Sequence, residues 1–333
     1  MVRNLSARGV GGLVYRRTMP TPSGAAAVER TRTWVPDWPC SPAQVLRPQR
    51  RGAGDPTQRH EESGRIWRAM RTPLGPASLC VQPRPSAGEV LGRAWGPGAE
   101  WALDRMPALL GADDDADGFE PHHHPEVAEG WRTHRHWRIG GTGLVMESLV
   151  PSILEQKVTG KQAFGSFREL VRRHGEPAPG PAAPLRLMLQ PTPETIAAIP
   201  SWEWLRLGVQ PAQSRTVVTA CRVATSLERI SRLSPEEADQ RLRSVRGIGV
   251  WTSAEVRQRA LGDPDAVSFG DYHLANWVGW ALVGRDITDE EMGELLEPYR
   301  PHRGRAAAMA IAGGRSRPRR GPRMSVPSHL PTR

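Results

Sequence analysis

Apolar positions along the chain follow two regimes. Between Thr31 and Leu110 they come in short runs separated by turn residues. Ile66-Trp67-Arg68-Ala69-Met70, Ala77-Ser78-Leu79-Cys80-Val81 and Glu89-Val90-Leu91-Gly92-Arg93-Ala94-Trp95 predict three strands. Thr72-Pro73-Leu74-Gly75-Pro76 predicts the turn between the first two. Ala99 to Leu110 predicts a helix, with Trp101 and Arg105 one turn apart and Pro107 interrupting it. The acidic stretch Ala112-Asp113-Asp114-Asp115-Ala116-Asp117-Gly118 reads as a linker, and beyond it helical spacing takes over. Met146, Leu149, Val150, Ile153, Leu154 and Val158 form one stripe, with Pro151 tolerable near a first turn or a kink. Residues 176–181 read as a loop. Ser234-Pro235-Glu236-Glu237 is a capping box with proline at the first helical position, opening a helix whose Ala238, Leu242 and Val245 face one way. Thr288-Asp289-Glu290-Glu291 opens another, with Met292, Leu295 and Leu296 apolar. There is no repeat of solenoid period.

This patterning predicts an α+β protein: a small N-terminal antiparallel-sheet domain at 30–112, then an all-α domain at 113–314. Residues 1–29 lack a hydrophobic period and are expected to be disordered, with Met19 an alternative start; 315–333 is expected to be a flexible basic tail. Charge then narrows the partner. Forty-five Lys and Arg against 35 Asp and Glu give a net +10, and the pI near 10.7 points to a polyanion, nucleic acid first and an anionic membrane second. Lys157 and Lys161 are the only lysines, which leaves amine-dependent Schiff-base chemistry almost without candidates. Cys40, Cys80 and Cys221 are odd in number and widely spaced, so a reducing compartment without a disulfide framework is expected. No apolar run approaches the roughly 18 residues of a membrane span, and a soluble cytoplasmic protein is expected.

Candidate chemistry concentrates at one place. Leu242-Arg243-Ser244-Val245-Arg246-Gly247-Ile248-Gly249-Val250-Trp251-Thr252 reads as helix, tight Gly-x-Gly turn and helix. Such a turn directs backbone N–H groups outward at a helix N-terminus, an arrangement suited to a phosphate. Arg246 and Thr252 are candidate side-chain helpers for Gly247, Ile248 and Gly249. Asp271 follows in Ser268-Phe269-Gly270-Asp271, ahead of Tyr272-His273-Leu274-Ala275. Two readings of it are open: a helix N-cap, or a carboxylate delivered to the sugar that the turn anchors. The turn has its own plain alternative, an ordinary helix–helix connection.

The Gly247-Ile248-Gly249-Val250-Trp251-Thr252 spacing, with Asp271 after it, resembles the helix–hairpin–helix DNA glycosylase superfamily. Gly-Val-Trp-Thr-Ser-Ala from Gly249 and Ala-Leu-Gly-Asp-Pro-Asp-Ala from Ala260 are similar to its 3-methyladenine DNA glycosylase II branch. Arg50-Arg51-Gly52-Ala53-Gly54-Asp55-Pro56-Thr57 and Ala94-Trp95-Gly96-Pro97-Gly98-Ala99-Glu100-Trp101 resemble the N-terminal domain of that branch. The resemblance implies a monomeric, monofunctional enzyme that flips an alkylated purine from damaged duplex DNA and hydrolyses its N-glycosidic bond, with Asp271 catalytic. It implies no cofactor, beyond a monovalent cation that hairpin carbonyls of the family can hold against the phosphate.

Further site residues follow from the same resemblance. Trp251 occupies the position where strand-cutting relatives carry a lysine nucleophile. Its indole suits stacking on a cationic purine, the alternative being a core tryptophan. Tyr272 is a second candidate pocket wall. Glu155-Gln156-Lys157-Val158-Thr159 resembles the segment that inserts into DNA, with Lys157 where an apolar wedge is usual and a solvated helix face the alternative. In Pro301-His302-Arg303-Gly304-Arg305, His302 stands at an aromatic pocket position, with Arg303 and Arg305 as candidate phosphate contacts. His122-His123-His124, flanked by prolines and far from any cysteine, reads as a loop, and no metal site is expected. Two rival functions stand beside the main one: a bifunctional glycosylase–lyase for oxidised bases, and a non-catalytic DNA-binding module using the hairpin as a clamp.

Overall fold

A five-stranded antiparallel sheet and a helical body make up the structure, a computed structural model that describes residues 28–182 and 185–318. The expected tails lie largely outside these residues. The sheet half runs β1 Arg30–Trp34, α1 Pro42–Leu46, β2 Gln58–His60, β3 Ile66–Thr72, β4 Gly75–Arg84, β5 Glu89–Trp95 and α2 Ala99–Leu109. Strand order is β1-β5-β4-β3-β2. Thr72 pairs with Gly75, so Pro73-Leu74 is the two-residue connection foreseen between β3 and β4. Two edge strands lay beyond the sequence reading. β1 is Arg-Thr-Arg-Thr-Trp, exposed through its first four residues, and polar edge strands carry no apolar alternation. Helix α2 continues two residues past Pro107, where a proline near the end breaks little of the hydrogen-bond ladder.

Both faces of the sheet are covered, which is why β3 is buried almost throughout. Ile66, Met70, Leu79, Val81 and Val90 pack with Leu103 and Met106 of α2 on one face. On the other, Trp67 stacks on Trp95 with ring centroids 5.5 Å apart, joined by Ala178, Leu187 and Leu189 from the helical half. That half comprises α3 Pro125–Thr133, α4 Val145–Leu154, α5 Gly160–His174, β6 Glu176–Pro177 and β7 Met188–Leu189, then α6 Pro193–Ala197, α7 Ser201–Arg206, α8 Pro211–Arg222 and α9 Ala224–Glu228. It closes with α10 Pro235–Arg243, α11 Val250–Val256, α12 Leu274–Leu282, α13 Asp289–Leu296 and α14 Arg303–Gly313. Residues 176–181, expected as loop, thus include β6. Ser78 Oγ donates to Pro179 O at 2.7 Å, and Met188 N donates to Pro56 O at 2.8 Å. The segment closes the sheet as a second layer, so the helical half is not purely α.

Helix α4 is the hub of the helical body: nine of its ten residues are buried. It ends at Leu154, and the stripe read through to Val158 is cut by a left-handed backbone at Lys157 (φ 55°). Around α4 gather α5, α8 and α11, while α3, α12, α13 and α14 build a separate core. Both capping boxes form as expected. Ser234 Oγ accepts from Glu237 N at 3.2 Å and Thr288 Oγ1 from Glu291 N at 3.3 Å, each acid answering the cap N–H. Among the described residues no helix is long and apolar enough to cross a membrane.

Candidate active site

The turn between α10 and α11 is set by two glycines with different reasons to be glycine. Gly247 has φ 94°, and a side chain there would overlap the Thr216 hydroxyl of α8. Gly249 is extended (φ −97°) as the α11 N-cap, and a Cβ there would meet nothing within 4 Å. Nothing among the described residues requires glycine at 249, so its outer face is open to an approaching group. Ile248 is buried and anchors the turn to the core around α4.

Gln156 ties this turn to the loop after α4. Its Nε2 donates to Gly247 O at 3.0 Å and to Thr252 Oγ1 at 2.8 Å. Thr252 is only 2% exposed, so its hydroxyl serves this internal bond rather than facing outward as a phosphate helper. Gln213 of α8 holds the same loop from behind, donating to Leu154 O at 2.9 Å and Gln156 O at 2.8 Å. Arg51, from the loop before β2, reaches across to Glu155 at 2.6 Å and is itself buried. Lys157 is left exposed at the apex of a loop pinned on three sides.

Asp271 reaches the site through an equally fixed route. α11 runs on into a π-helical turn, Arg257–Leu261, and the chain after it is pinned by Gln258 Nε2 to Ala266 O at 2.8 Å. Ser268 Oγ donates to Glu255 Oε1 at 2.6 Å. The Asp271 carboxylate then divides its two oxygens. Oδ1 accepts the His273 and Leu274 backbone N–H groups at 2.7 and 2.9 Å, capping the start of α12. Oδ2 takes the Trp251 indole N–H at 3.3 Å, a long bond that leaves most of its accepting capacity free.

Asp271, Trp251, Tyr272, Gln156 and Lys157 line one cavity of about 520 Å³, together with Glu155, Val158, Thr159, Gln162, Gln210 and Gly270. Tyr272 is 79% exposed and forms its rim, with its ring edge-on to His273. Trp251 is half-buried and stands outside the core clusters. Glu155 is neutralised by Arg51, so Asp271 is the lining carboxylate free of a guanidinium. Gln210 and Gln213, and the reach of Arg51 to Glu155, lay beyond the sequence reading. The one signal was Gln210-Pro211-Ala212-Gln213, a capping box without the usual hydroxyl or acid.

Three expected site residues lie elsewhere. Arg303 is spent on Asp265, with Nε and Nη2 on its two carboxylate oxygens and Nη2–Oδ2 at 2.7 Å. Arg305 is fully buried, paired with Asp114 and lying 5.9 and 5.7 Å from the Phe119 and Trp131 rings. His302 is 5% exposed with its ring edge-on to Phe119 at 5.6 Å. Burial, and then Arg305, push its imidazole below the ordinary range, and it packs as a core histidine. Neither it nor the two arginines line the Asp271 cavity. The acidic linker is likewise more than a linker, since Asp114 also accepts Ile139 N at 2.9 Å. His124 Nδ1 is bonded to Tyr299 Oη at 2.7 Å.

A small antiparallel sheet backed by a helical body, with a glycine hairpin tied through Gln156 to the cavity that Asp271 lines, defines the class of the fold. No family model and no curated protein matches the chain. Solved structures do. The 3-methyladenine DNA glycosylase from Archaeoglobus fulgidus is similar over 84% of this chain and 97% of its own, with TM-score 0.70 and 18% identity. The 8-oxoguanine glycosylase/lyase of Clostridium acetobutylicum, in its apo form, is similar over 86% of this chain and 98% of its own, with TM-score 0.65 and 12% identity. In complex with double-stranded DNA containing cytosine opposite 8-oxoguanine, that enzyme gives TM-score 0.61 at 12% identity, over 83% and 91% of the two chains. The chain has the fold of these proteins.

Proposed function

We propose that this protein is a monofunctional DNA glycosylase that removes alkylated purines, such as 3-methyladenine, from duplex DNA. The observation that carries the reading is the divided Asp271 carboxylate: one oxygen is fixed by two backbone N–H groups, the other faces the cavity beside Trp251. Breaking an N-glycosidic bond builds oxocarbenium-like charge on the sugar. A carboxylate already held in place stabilises that charge without reorganising, and orients the water that attacks the same carbon. An alkylated purine is cationic and leaves without a proton donor, which suits a cavity whose other acid, Glu155, is tied to Arg51. Selection then rests on stacking and shape around Trp251 and Tyr272, and on the lower cost of flipping a damaged base. The reaction needs no cofactor. Were a monovalent cation held at the hairpin, backbone carbonyls of that turn would hold it, and it would add positive charge facing a phosphate. Release of methylated bases from alkylated duplex DNA, with no release from undamaged DNA, is the test.

The hairpin's role makes a separable prediction. Gly249→Val leaves the fold unstrained, since the backbone there is extended and the space beyond it open. It should weaken binding to every DNA sequence alike, because phosphate contacts position without reading bases. Losing one bond to a charged phosphate, about 1.5–3 kcal/mol, corresponds to roughly tenfold or more in affinity. Gly247→Val should instead lower the melting temperature as well, through its clash with Thr216. A sequence-selective loss at Gly249, or none, would remove the clamp from the mechanism.

The enzyme should also stop at the abasic site. Strand cleavage through a Schiff base needs an amine at the sugar, and Trp251 occupies the hairpin position beside Asp271. Borohydride added during turnover should trap no covalent protein–DNA adduct. Lys157 is the amine that lines the cavity, so an adduct lost in Lys157→Ala would make the protein a glycosylase–lyase instead.

A further inference from the structure

Three arginines beside the hairpin have guanidinium groups without a partner among the described residues. Arg215, Thr219 and Arg222 of α8 are spaced i, i+4 and i+7, which places them on one helix face. Arg246, just before Gly247, borders the same groove, which encloses about 860 Å³ and also has Ser201 and Ser214 in its walls. All three arginines are exposed, and none of their guanidinium groups has an ion-pair, hydrogen-bond or ring partner among the described residues. Among the described residues no acidic side chain lines the groove. Neighbouring arginines are committed by contrast: Arg243 to Asp239 at 3.2 Å, Arg257 to Asp263, Arg173 to Glu169 at 3.4 Å. Three like charges converging without a counter-charge repel one another until an anion joins them.

We infer that this groove is a second backbone contact for duplex DNA, continuing the hairpin's phosphate track along α8 and away from the Asp271 cavity. The two surfaces are continuous. Gly247 borders the groove, and through the Gln156 bond to its carbonyl it is also joined to the cavity loop. From Arg215 to Arg222 the helix advances about 10 Å at roughly 1.5 Å per residue. That is the axial span of about three phosphates on one strand at roughly 3.4 Å each. Contacts of this kind carry no sequence information; they add affinity, on-rate and register. The inference rests on DNA being the partner, as proposed for the hairpin, and places strand beyond the lesion on a surface that no chemical step uses.

The test is a full-length Arg215→Ala/Arg222→Ala variant, compared with the unmodified chain by fluorescence anisotropy across a salt series. Two undamaged duplexes serve as probes, one just covering the cavity and hairpin, the other longer by about one helical turn. The unmodified chain should bind the longer duplex more tightly and with a steeper salt dependence. The variant should lose that gain, its log–log slope on the longer duplex being shallower by about 1.8, or 0.9 per lost phosphate contact. Its melting temperature should match the parent's, because both side chains are exposed and unpaired. An unchanged slope and length dependence overturn the inference. Base release measured on the same preparations keeps the two readings apart. Release with an unchanged slope defeats only the groove, and a shifted slope without release defeats only the glycosylase reading. Failure of the unmodified chain to bind DNA defeats both.

Discussion

Asp271→Asn should cut base release by at least about 10²–10³-fold while leaving duplex affinity and melting temperature close to those of the unmodified chain. The magnitude is that of removing one preorganised group from the charge that develops in a transition state. The selectivity comes from how the carboxylate divides its work. An asparagine amide oxygen can still accept the His273 and Leu274 N–H groups, so α12 keeps its cap. What it cannot do is present negative charge on the cavity side, where Oδ2 now meets the Trp251 indole. The amide would point an N–H at that indole N–H, adding a local mismatch to the lost charge. Single-turnover base release on alkylated duplex, alongside binding to an undamaged one, separates chemistry from association. An Asn variant with near-normal turnover would reduce Asp271 to a helix cap and end the mechanism.

Whether Asp271 is a cap or a catalytic group therefore turns out to be a false choice in geometry. One oxygen caps and the other faces the cavity, and the sequence could not show this because the division depends on Trp251, 20 residues upstream. The capping boxes at Ser234 and Thr288 were legible because every atom involved lies within four residues. The positive φ at Gly247 was legible for the same reason. Local rules also pointed to β3, β4 and β5, whose apolar runs sit between clear turn residues. They were silent on β1, where an exposed polar edge looks like loop, and on β6, two residues recruited by the far face of the sheet.

The failures at the site share one cause, a partner far away in sequence. Arg303 looked like a phosphate contact until Asp265, 38 residues earlier, was found to hold its guanidinium. Thr252 looked like a helper on a helix N-terminus, but Gln156, 96 residues earlier, takes its hydroxyl inward. In a chain with this many arginines, a basic residue near a motif says little until its counter-ion is located. Applied consistently, that criterion removes Arg303 and Arg305 from the proposed nucleic-acid surface and adds Arg215 and Arg222 to the proposal.

Arg305 gives this criterion its sharpest test. Arg305→Met should lower stability by about 3–5 kcal/mol, the cost of leaving a buried charge without its partner. Its guanidinium is fully buried against Asp114, Phe119 and Trp131, and Asp114 is closed from solvent on its side. Burial raises the Asp114 carboxyl above its usual range, with Arg305 and the Ile139 N–H pulling the other way. In a buried pair the cost of desolvating two charges offsets much of their attraction, so the pair is expected to fix the position of Asp114 against α14 more than it adds stability. Removing both charges should then cost much less than removing one, and Arg305→Met/Asp114→Leu should recover a large part of the single-variant loss. Urea unfolding of the four proteins in this cycle measures both quantities. A phosphate-contacting arginine would behave the opposite way, with unchanged stability and a DNA-binding salt slope shallower by about 0.9. That outcome would return Arg305 to the proposed DNA surface and undo its assignment as the buried partner of Asp114.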